Sequence, residues 1–153
     1  MAIDKAEWQY NSAKQFYCEK FEKDPKDLTE DDEDIIWEYA GNHIAFFITW
    51  LIRRDLIGNL HLEDDNEKKD LEAVKNMQKT GMDIFSKYCD MTFTEEDVAD
   101  TAMPFVNSYY EDTYMGDYCD QLGEEKILTS TFSWNDYLKV ESVIDQAYMD
   151  FEG

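Results

Sequence analysis

The stretch WEYAGNHIAFFITWLI, residues 37–52, contains the longest apolar run of the chain. Its apolar residues recur every three or four positions, which is the spacing of one face of an α-helix. This stripe consists of Trp37, Ala40, Ile44, Phe47, Ile48 and Leu51, and it is widened by Phe46, Trp50 and Ile52. Such a wide stripe predicts a helix that is surrounded by protein on most sides. We therefore expect residues 37–52 to form the central helix of the core.

Signals for helix starts recur on both sides of this segment. Asp4, with Glu7 three residues later, resembles a capping box, and the first helix is expected to end before Pro25. Thr29 and the acidic residues after it are typical of a helix N-terminus, because the helix dipole favours negative charge there. Pro104 is expected either to kink a later helix or to start a new one. Further helix starts are predicted at Glu63, Met82, Thr94 and Ser133.

The composition favours helices over a β architecture. The chain has only two prolines and six glycines, which are too few for a protein rich in tight turns. Residues 126–132 are the one β-leaning stretch, and they predict an extended connection or a short strand. No internal repeat or linker is visible. The sequence therefore predicts an all-α fold, with residues 1–153 forming a single compact multi-helix domain.

The net charge, the N-terminal residues and the length of the apolar run disfavour several classes of protein. The formal net charge is −22, so phosphates of nucleic acids and anionic lipids repel the protein. The N-terminus lacks the plan of a signal peptide, and the longest apolar run is shorter than the ~20 residues that cross a bilayer. Three widely spaced cysteines, Cys18, Cys89 and Cys119, predict reduced thiols. We expect a cytoplasmic protein that binds neither a membrane nor a nucleic acid directly.

Residues that could support catalysis or bind a metal are sparse. His43 and His61 are too far apart for a shared helical metal motif, and neither has a glutamate three residues before it. His43 is predicted to be a hydrogen-bonded core residue. The acidic run at residues 63–67 lacks the glycine and glutamate register of a calcium loop. We expect no enzyme activity, catalytic residue, metal or cofactor. A carboxylate-dependent hydrolase stays an alternative, because two acids that are brought together only by the fold leave no local motif in the sequence.

Charge is concentrated in residues 88–125. This region contains eleven carboxylates and five tyrosines but no lysine, arginine or histidine. Like charges held close together repel one another, so such a segment favours contact with a positively charged partner. Tyrosines among the acids strengthen this interpretation, because they are enriched in interface cores. An acidic helix face that only keeps the protein in solution is the alternative.

Two patches are candidate partner-binding surfaces. The first is the tyrosine–acid segment, residues 109–117, with Tyr109, Tyr110, Glu111, Asp112, Tyr114 and Asp117 as its candidates. The second precedes the central helix and consists of Asp31, Asp32, Glu33 and Asp34. Each patch also has a structural interpretation. Tyr109 follows Phe105 by one helical turn and could belong to the core, and the second patch could be only the negative first turn of a helix.

Several short blocks of the chain resemble a known family. These blocks are Trp8-Gln9-Tyr10, residues 40–51 (AGNHIAFFITWL), residues 74–81, Cys89-Asp90 and residues 93–97 (FTEED). In this order they are similar to immunity proteins of bacterial polymorphic toxin systems, which include contact-dependent growth inhibition loci. The resemblance spans about residues 8–120, and it does not include the acidic run at residues 30–34 or the tail after Leu122.

This resemblance implies a function that agrees with the charge. An immunity protein binds its cognate toxin in the cytoplasm and blocks the active site or the substrate cleft. Many such toxins are nucleases, whose clefts are basic because they hold phosphates. The resemblance therefore implies inhibition of a basic nuclease, preferably a ribonuclease, by a monomer that forms a 1:1 complex. An alternative function from another class is that of an acidic nucleic-acid mimic or adaptor, which binds a basic host protein.

Overall fold

The computed structural model describes residues 2–152, and helices dominate them. Seven α-helices are present in this part of the chain: α1 (Ala6–Phe21), α2 (Glu30–Arg53), α3 (Asp65–Lys75), α4 (Gly81–Tyr88), α5 (Met103–Tyr109), α6 (Met115–Leu122) and α7 (Trp134–Glu152). Two short strands, β1 (Ala2–Lys5) and β2 (Thr92–Thr94), pair with each other. The prediction of an all-α fold is confirmed, with this small sheet as an addition.

The central helix α2 begins and ends as the sequence predicts. Thr29 is its N-cap, and the Thr29 hydroxyl accepts the Asp32 amide while an Asp32 carboxylate oxygen accepts the Thr29 amide. Every residue from 39 to 52 is buried. The helix is therefore surrounded on all sides over this stretch, because its apolar residues cover its whole circumference.

The other helices pack around α2. α1 and α4 lie directly against it, and α7 covers it through Tyr137, Val140 and Ile144, which are fully buried. The close approach of α4 requires Gly81, since a Cβ atom there would collide with the Thr49 side chain. The buried apolar residues from Ala6 to Ile144, with the exception of Cys18, belong to one hydrophobic cluster.

The strands differ from the prediction. Asp4 does not cap α1; it lies in β1, whose partner is β2, with Asp4 opposite Phe93. A strand is absent from residues 126–132, which follow a 3₁₀ turn (Glu124–Lys126) and form an irregular connection. There the Ser130 hydroxyl donates to the Lys126 carbonyl at 2.8 Å. Such local hydroxyl bonds compete with strand pairing, and strands also need a partner that the sequence does not reveal.

The second half of the chain shows one further difference and decides between the two alternatives for Pro104. Thr94 and Asp97 form the predicted capping box, but it opens only a 3₁₀ turn (Glu95–Asp97) instead of a helix. α5 begins at Met103, so Pro104 starts a helix and does not kink one. A π-helical turn (Tyr110–Tyr114) connects α5 to α6.

Other features follow the sequence more closely. Ser133 caps α7 through the Asp136 amide at 3.4 Å. The three cysteines are free thiols, as predicted, and Cys18 is buried. Within residues 2–152, every helix is too short or too polar to span a membrane.

Candidate functional site: an acidic groove

The tyrosine–acid segment turns its tyrosines inward. Tyr109, Tyr110 and Tyr114 are all buried, and the three rings pack around Phe47, with ring centroids 5.0–6.4 Å from it. The π-helical turn widens the helix here, so residues five apart in sequence reach the same side. These three tyrosines were predicted as interface contacts, and that prediction is wrong for the fold as it stands, because their surface is already covered by protein.

Each of these tyrosines also has an internal hydrogen-bond partner. The Tyr109 hydroxyl donates to Asp117 at 2.5 Å, the Tyr110 hydroxyl to Asp4 at 2.8 Å, and the Tyr114 hydroxyl to the carbonyl of His43 at 2.6 Å. Burial raises the pKa of Tyr110 and of Tyr114, so both remain neutral donors. The aromatic part of the segment therefore stabilises the fold.

Among the candidate residues of this segment, only acids reach the surface. Glu111 and Asp112 are exposed, whereas Asp117 is partly buried and accepts the Tyr109 hydroxyl. The first candidate patch is thus reduced to two neighbouring carboxylates on the π-helical turn.

The second candidate patch is divided in a similar way. Asp32 is buried and accepts hydrogen bonds from Thr29, Tyr17 and Lys23, with the Lys23 ammonium 2.9 Å away. The hydrogen bonds from Thr29, Tyr17 and Lys23 hold the pKa of Asp32 well below its usual range. Asp32 as a binding residue is therefore also a wrong prediction, because its carboxylate is fully used by the fold. Asp31, Glu33 and Asp34 are exposed.

Asp34 lies in a groove that the sequence did not reveal. This acidic groove has a volume of about 770 Å³ and runs between the start of α1, the N-terminal half of α2, α4 and the turn before β2. Its acidic lining residues come from three helices and one turn: Glu7, Asp34, Glu38, Asp83 and Asp90. Trp37, Met82 and Met91 supply an apolar part, and Lys5 is the one basic residue among the described lining residues.

The carboxylates of the groove are poorly compensated. Within residues 2–152, Glu7, Asp34, Glu38 and Asp90 make no salt bridge. Partial burial raises the pKa of Glu38, and the negative charges of Asp83 and Asp34 raise it further. A positively charged group placed in the groove would relieve this repulsion, because opposite charge favours the ionised carboxylate.

A second cleft, of about 570 Å³, contains His43 and Asp4 at its base. The Nε2 atom of His43 is 3.3 Å from Asp4, and both residues are buried, which confirms His43 as a hydrogen-bonded core residue. Burial opposes ionisation of Asp4, but the hydrogen bond and charge of His43 and the Tyr110 hydroxyl outweigh it and lower the pKa of Asp4. The described residues that line this cleft include no serine or cysteine, and the hydroxyl beside the pair is that of Tyr110.

A third polar group, the His61 cluster, is buried where the 3₁₀ turn Asn59–Leu62, the start of α3 and the end of α4 meet. It consists of His61, Glu67, Cys89 and Asp97, and the imidazole lies between the two carboxylates. Sequence reasoning missed this cluster, because its members are separated by up to 36 positions and no local motif joins them.

One protein family matches the part of the chain that contains most of these features. The family described as a domain of unknown function, DUF7832, matches residues 2–133. The chain belongs to this family. The acidic groove, the His61 cluster and the tyrosine–acid segment all lie within the part that matches DUF7832, whereas α7 lies beyond it. Neither the curated proteins nor the solved structures include a match to the chain.

Proposed function

We propose that this protein is an immunity protein that binds a basic toxin, preferably a ribonuclease, through the acidic groove and so blocks the toxin's active site or substrate cleft. The observation that supports this most directly is the set of unpaired carboxylates around the groove: Glu7, Asp34, Glu38 and Asp90. The resemblance of the sequence blocks to immunity proteins supports the toxin as the partner. The proposed place of binding is the cytoplasm of the producing cell.

The chemistry of the groove suits lysine and arginine side chains. A nuclease holds phosphates with such side chains, and carboxylates can take the position of the phosphates. Trp37 is only half-buried and lies between Asp34 and Glu38 on the groove wall, where its ring can contact a guanidinium. The protein thus offers both charge and an aromatic surface to one basic segment.

Binding would also relieve an electrostatic repulsion that destabilises the free protein. Glu38 is partly buried beside Asp34 and Asp83; burial raises its pKa most, and the negative charges of these two carboxylates raise it further. A cation from the toxin would reverse the sign of this interaction. The high negative net charge would also speed association with a basic toxin, because complementary electric fields raise the rate of association.

The test starts from the gene immediately upstream, which on this proposal encodes a large secreted protein that ends in a toxin domain. Co-expression of the wild-type protein is expected to rescue growth, and the purified pair is expected to form a 1:1 complex. The double variant Asp34→Lys with Glu38→Lys should lose rescue and bind about 100-fold more weakly or worse. This estimate assumes that each close charge pair contributes about 1.5 kcal/mol or more.

Two double variants with the same change in charge serve as controls. Asp150→Lys with Glu152→Lys changes exposed acids of α7 outside the family match, and it should leave binding nearly unchanged. Glu111→Lys with Asp112→Lys tests the first candidate patch. Loss of binding in this variant alone would place the interface there and contradict the groove.

Other outcomes would contradict the function itself. Absence of rescue together with absence of a complex would remove the immunity interpretation. Equal weakening in all three double variants, with binding to many basic proteins that is lost together at modest salt, would indicate an acidic mimic of nucleic acid instead. Circular dichroism of each variant shows whether the fold is retained.

A further inference from the structure

The His61 cluster brings together three different metal-binding atoms. Asp97 Oδ1 lies 2.7 Å from His61 Nε2 and 3.7 Å from Cys89 Sγ. The nitrogen, oxygen and sulfur atoms of the three residues all lie within 4.8 Å of one another. We propose that His61, Cys89 and Asp97 bind a divalent transition-metal ion, Zn²⁺, with a solvent molecule as the fourth ligand.

The donor set is one that zinc prefers. Zinc binds imidazole nitrogen and carboxylate oxygen at about 2.0–2.2 Å and thiolate sulfur at about 2.3 Å, usually in a tetrahedral arrangement. Tetrahedral angles with these bond lengths place oxygen about 3.4 Å from nitrogen and about 3.6 Å from sulfur. The separation between Cys89 and Asp97 already has this value. The His61–Asp97 separation has to widen by about 0.7 Å, which a small rotation of the Asp97 side chain can supply.

Two of the three ligands, His61 and Asp97, are held in place by a neighbour outside the ligand set. The Nδ1 atom of His61 donates to Glu67, which leaves Nε2 directed at the proposed ion. Such a carboxylate behind a histidine is the usual outer partner of a zinc ligand. Asp97 Oδ2 accepts the Thr94 amide at 2.8 Å and its hydroxyl at 3.4 Å, so Oδ1 remains for the metal.

Burial and charge are also compatible with a metal. His61, Glu67 and Asp97 are each at least nine-tenths buried, whereas Cys89 is partly exposed and provides access for the ion and for water. Binding of Zn²⁺ releases the thiol proton of Cys89 and, from the imidazolium form, the Nε2 proton of His61 to the solvent. One divalent ion then replaces two protons, and the net charge of the buried cluster does not change.

The experiment uses the full chain, freed of metal by dialysis against a chelator, and Co²⁺ as a spectroscopic probe. One equivalent of Co²⁺ should produce a sulfur-to-cobalt charge-transfer band and the intense visible bands of four-coordinate cobalt. One equivalent of Zn²⁺ should abolish both and should raise the melting temperature. Cys89→Ser should lose the charge-transfer band, whereas Cys119→Ser, which changes a thiol outside the cluster, should keep it.

A further variant tests the outer partner. Glu67→Gln is expected to lower zinc affinity by about 10–100-fold, the range found when such partners are removed. Absence of the charge-transfer band in the folded wild-type protein would overturn the proposal and would leave the cluster as a purely hydrogen-bonded one. A band that survives Cys89→Ser would overturn it as well. Neither result bears on toxin binding, so the two proposals fail independently.

Discussion

The tyrosine–acid segment and the acidic groove contain the same two kinds of side chain but use them in opposite ways. In residues 109–117 the aromatic rings lie inside, and Glu111 and Asp112 are the only exposed acids. In the groove, acids from separate elements surround a half-buried Trp37. The density of acids along the sequence therefore says little about where a binding surface is, because the surface is assembled from elements that are distant in the chain.

Asp32 and Asp34 show the same contrast at two positions of one helix. Asp32 caps α2 and pairs with Lys23, so the fold uses its charge. Asp34 points into the groove, and within residues 2–152 it has no salt-bridge partner. A carboxylate with internal partners stabilises the protein, whereas one without them is available to another molecule.

The largest expected effect is on the free energy of unfolding, and it distinguishes the buried tyrosines of the tyrosine–acid segment from its exposed acids. Tyr114→Ala should lower the free energy of unfolding by about 3–5 kcal/mol, because a large buried ring is replaced by a cavity. Tyr114→Phe keeps the ring and loses one hydrogen bond, so it should cost only about 1 kcal/mol. Urea denaturation measures both. Glu111→Ala should change stability by less than about 0.5 kcal/mol, and a large effect there would mean that this acid has a structural role.

A smaller effect is expected for the two aspartates of α2. Asp32→Ala removes the half of the capping box in which the Asp32 carboxylate accepts the Thr29 amide, and it leaves the Tyr17 hydroxyl and the Lys23 ammonium without their acceptor, so the midpoint of urea denaturation should fall clearly. Asp34→Ala should leave this midpoint unchanged or raise it slightly, since it removes a repelling charge near Glu38. Equal destabilisation by both substitutions would contradict the division between structural and available acids.

The smallest effect is a dependence on pH. The pKa values of Asp4 and Asp32 lie below the value of about 3.9 for an unfolded aspartate, so their stabilisation is present above that pH and is lost as the pH falls through their folded values. Glu38 behaves oppositely: its raised pKa means that stability is lost as the pH rises from its unfolded value to its folded one. Stability should therefore increase modestly from pH 7 to pH 5 and decrease below pH 4.

His61 contributes to the same trend near neutral pH. Burial by itself lowers its pKa, but the hydrogen bonds to Asp97 and Glu67 outweigh burial and raise it. Its stabilisation is complete below the unfolded value of about 6.5 and is lost as the pH rises through the folded value. Urea midpoints of the wild-type protein and of Glu38→Gln, compared at pH 7, 5 and 3 in the presence of a chelator, isolate the glutamate. An identical dependence of stability on pH over this whole range in both proteins would contradict the destabilisation of ionised Glu38 by burial and by its acidic neighbours.

Much of the helical framework could be predicted from the sequence. The caps at Thr29 and Ser133 use hydrogen bonds between residues a few positions apart, and the stripe of α2 depends on a spacing of three to four residues. Both signals are local. The same local reasoning failed at Asp4, where a distant strand takes the residue out of the expected cap and gives its carboxylate to His43 and Tyr110.

The candidate site was less accessible to such reasoning. Asp34 was named from its acidic neighbours, but Glu7 and Asp90 were not, since they reach the groove from other elements, and neither was Glu38, which lies one turn after Asp34 on α2. The orientation of Tyr109, Tyr110 and Tyr114 depends on a π-helical turn and on the position of Phe47, and neither can be inferred from spacing alone.

By itself the sequence determined that the chain is helical, that α2 is its core and that its charge is strongly negative, because these properties follow from composition and from contacts within one or two helical turns. Only the tertiary structure decided which acids are consumed by the fold, which remain unpaired in the acidic groove, and which meet His61 and Cys89 in a buried cluster. Those distinctions depend on the packing of elements that lie far apart in the chain, and burial and pairing of charge are properties of that packing.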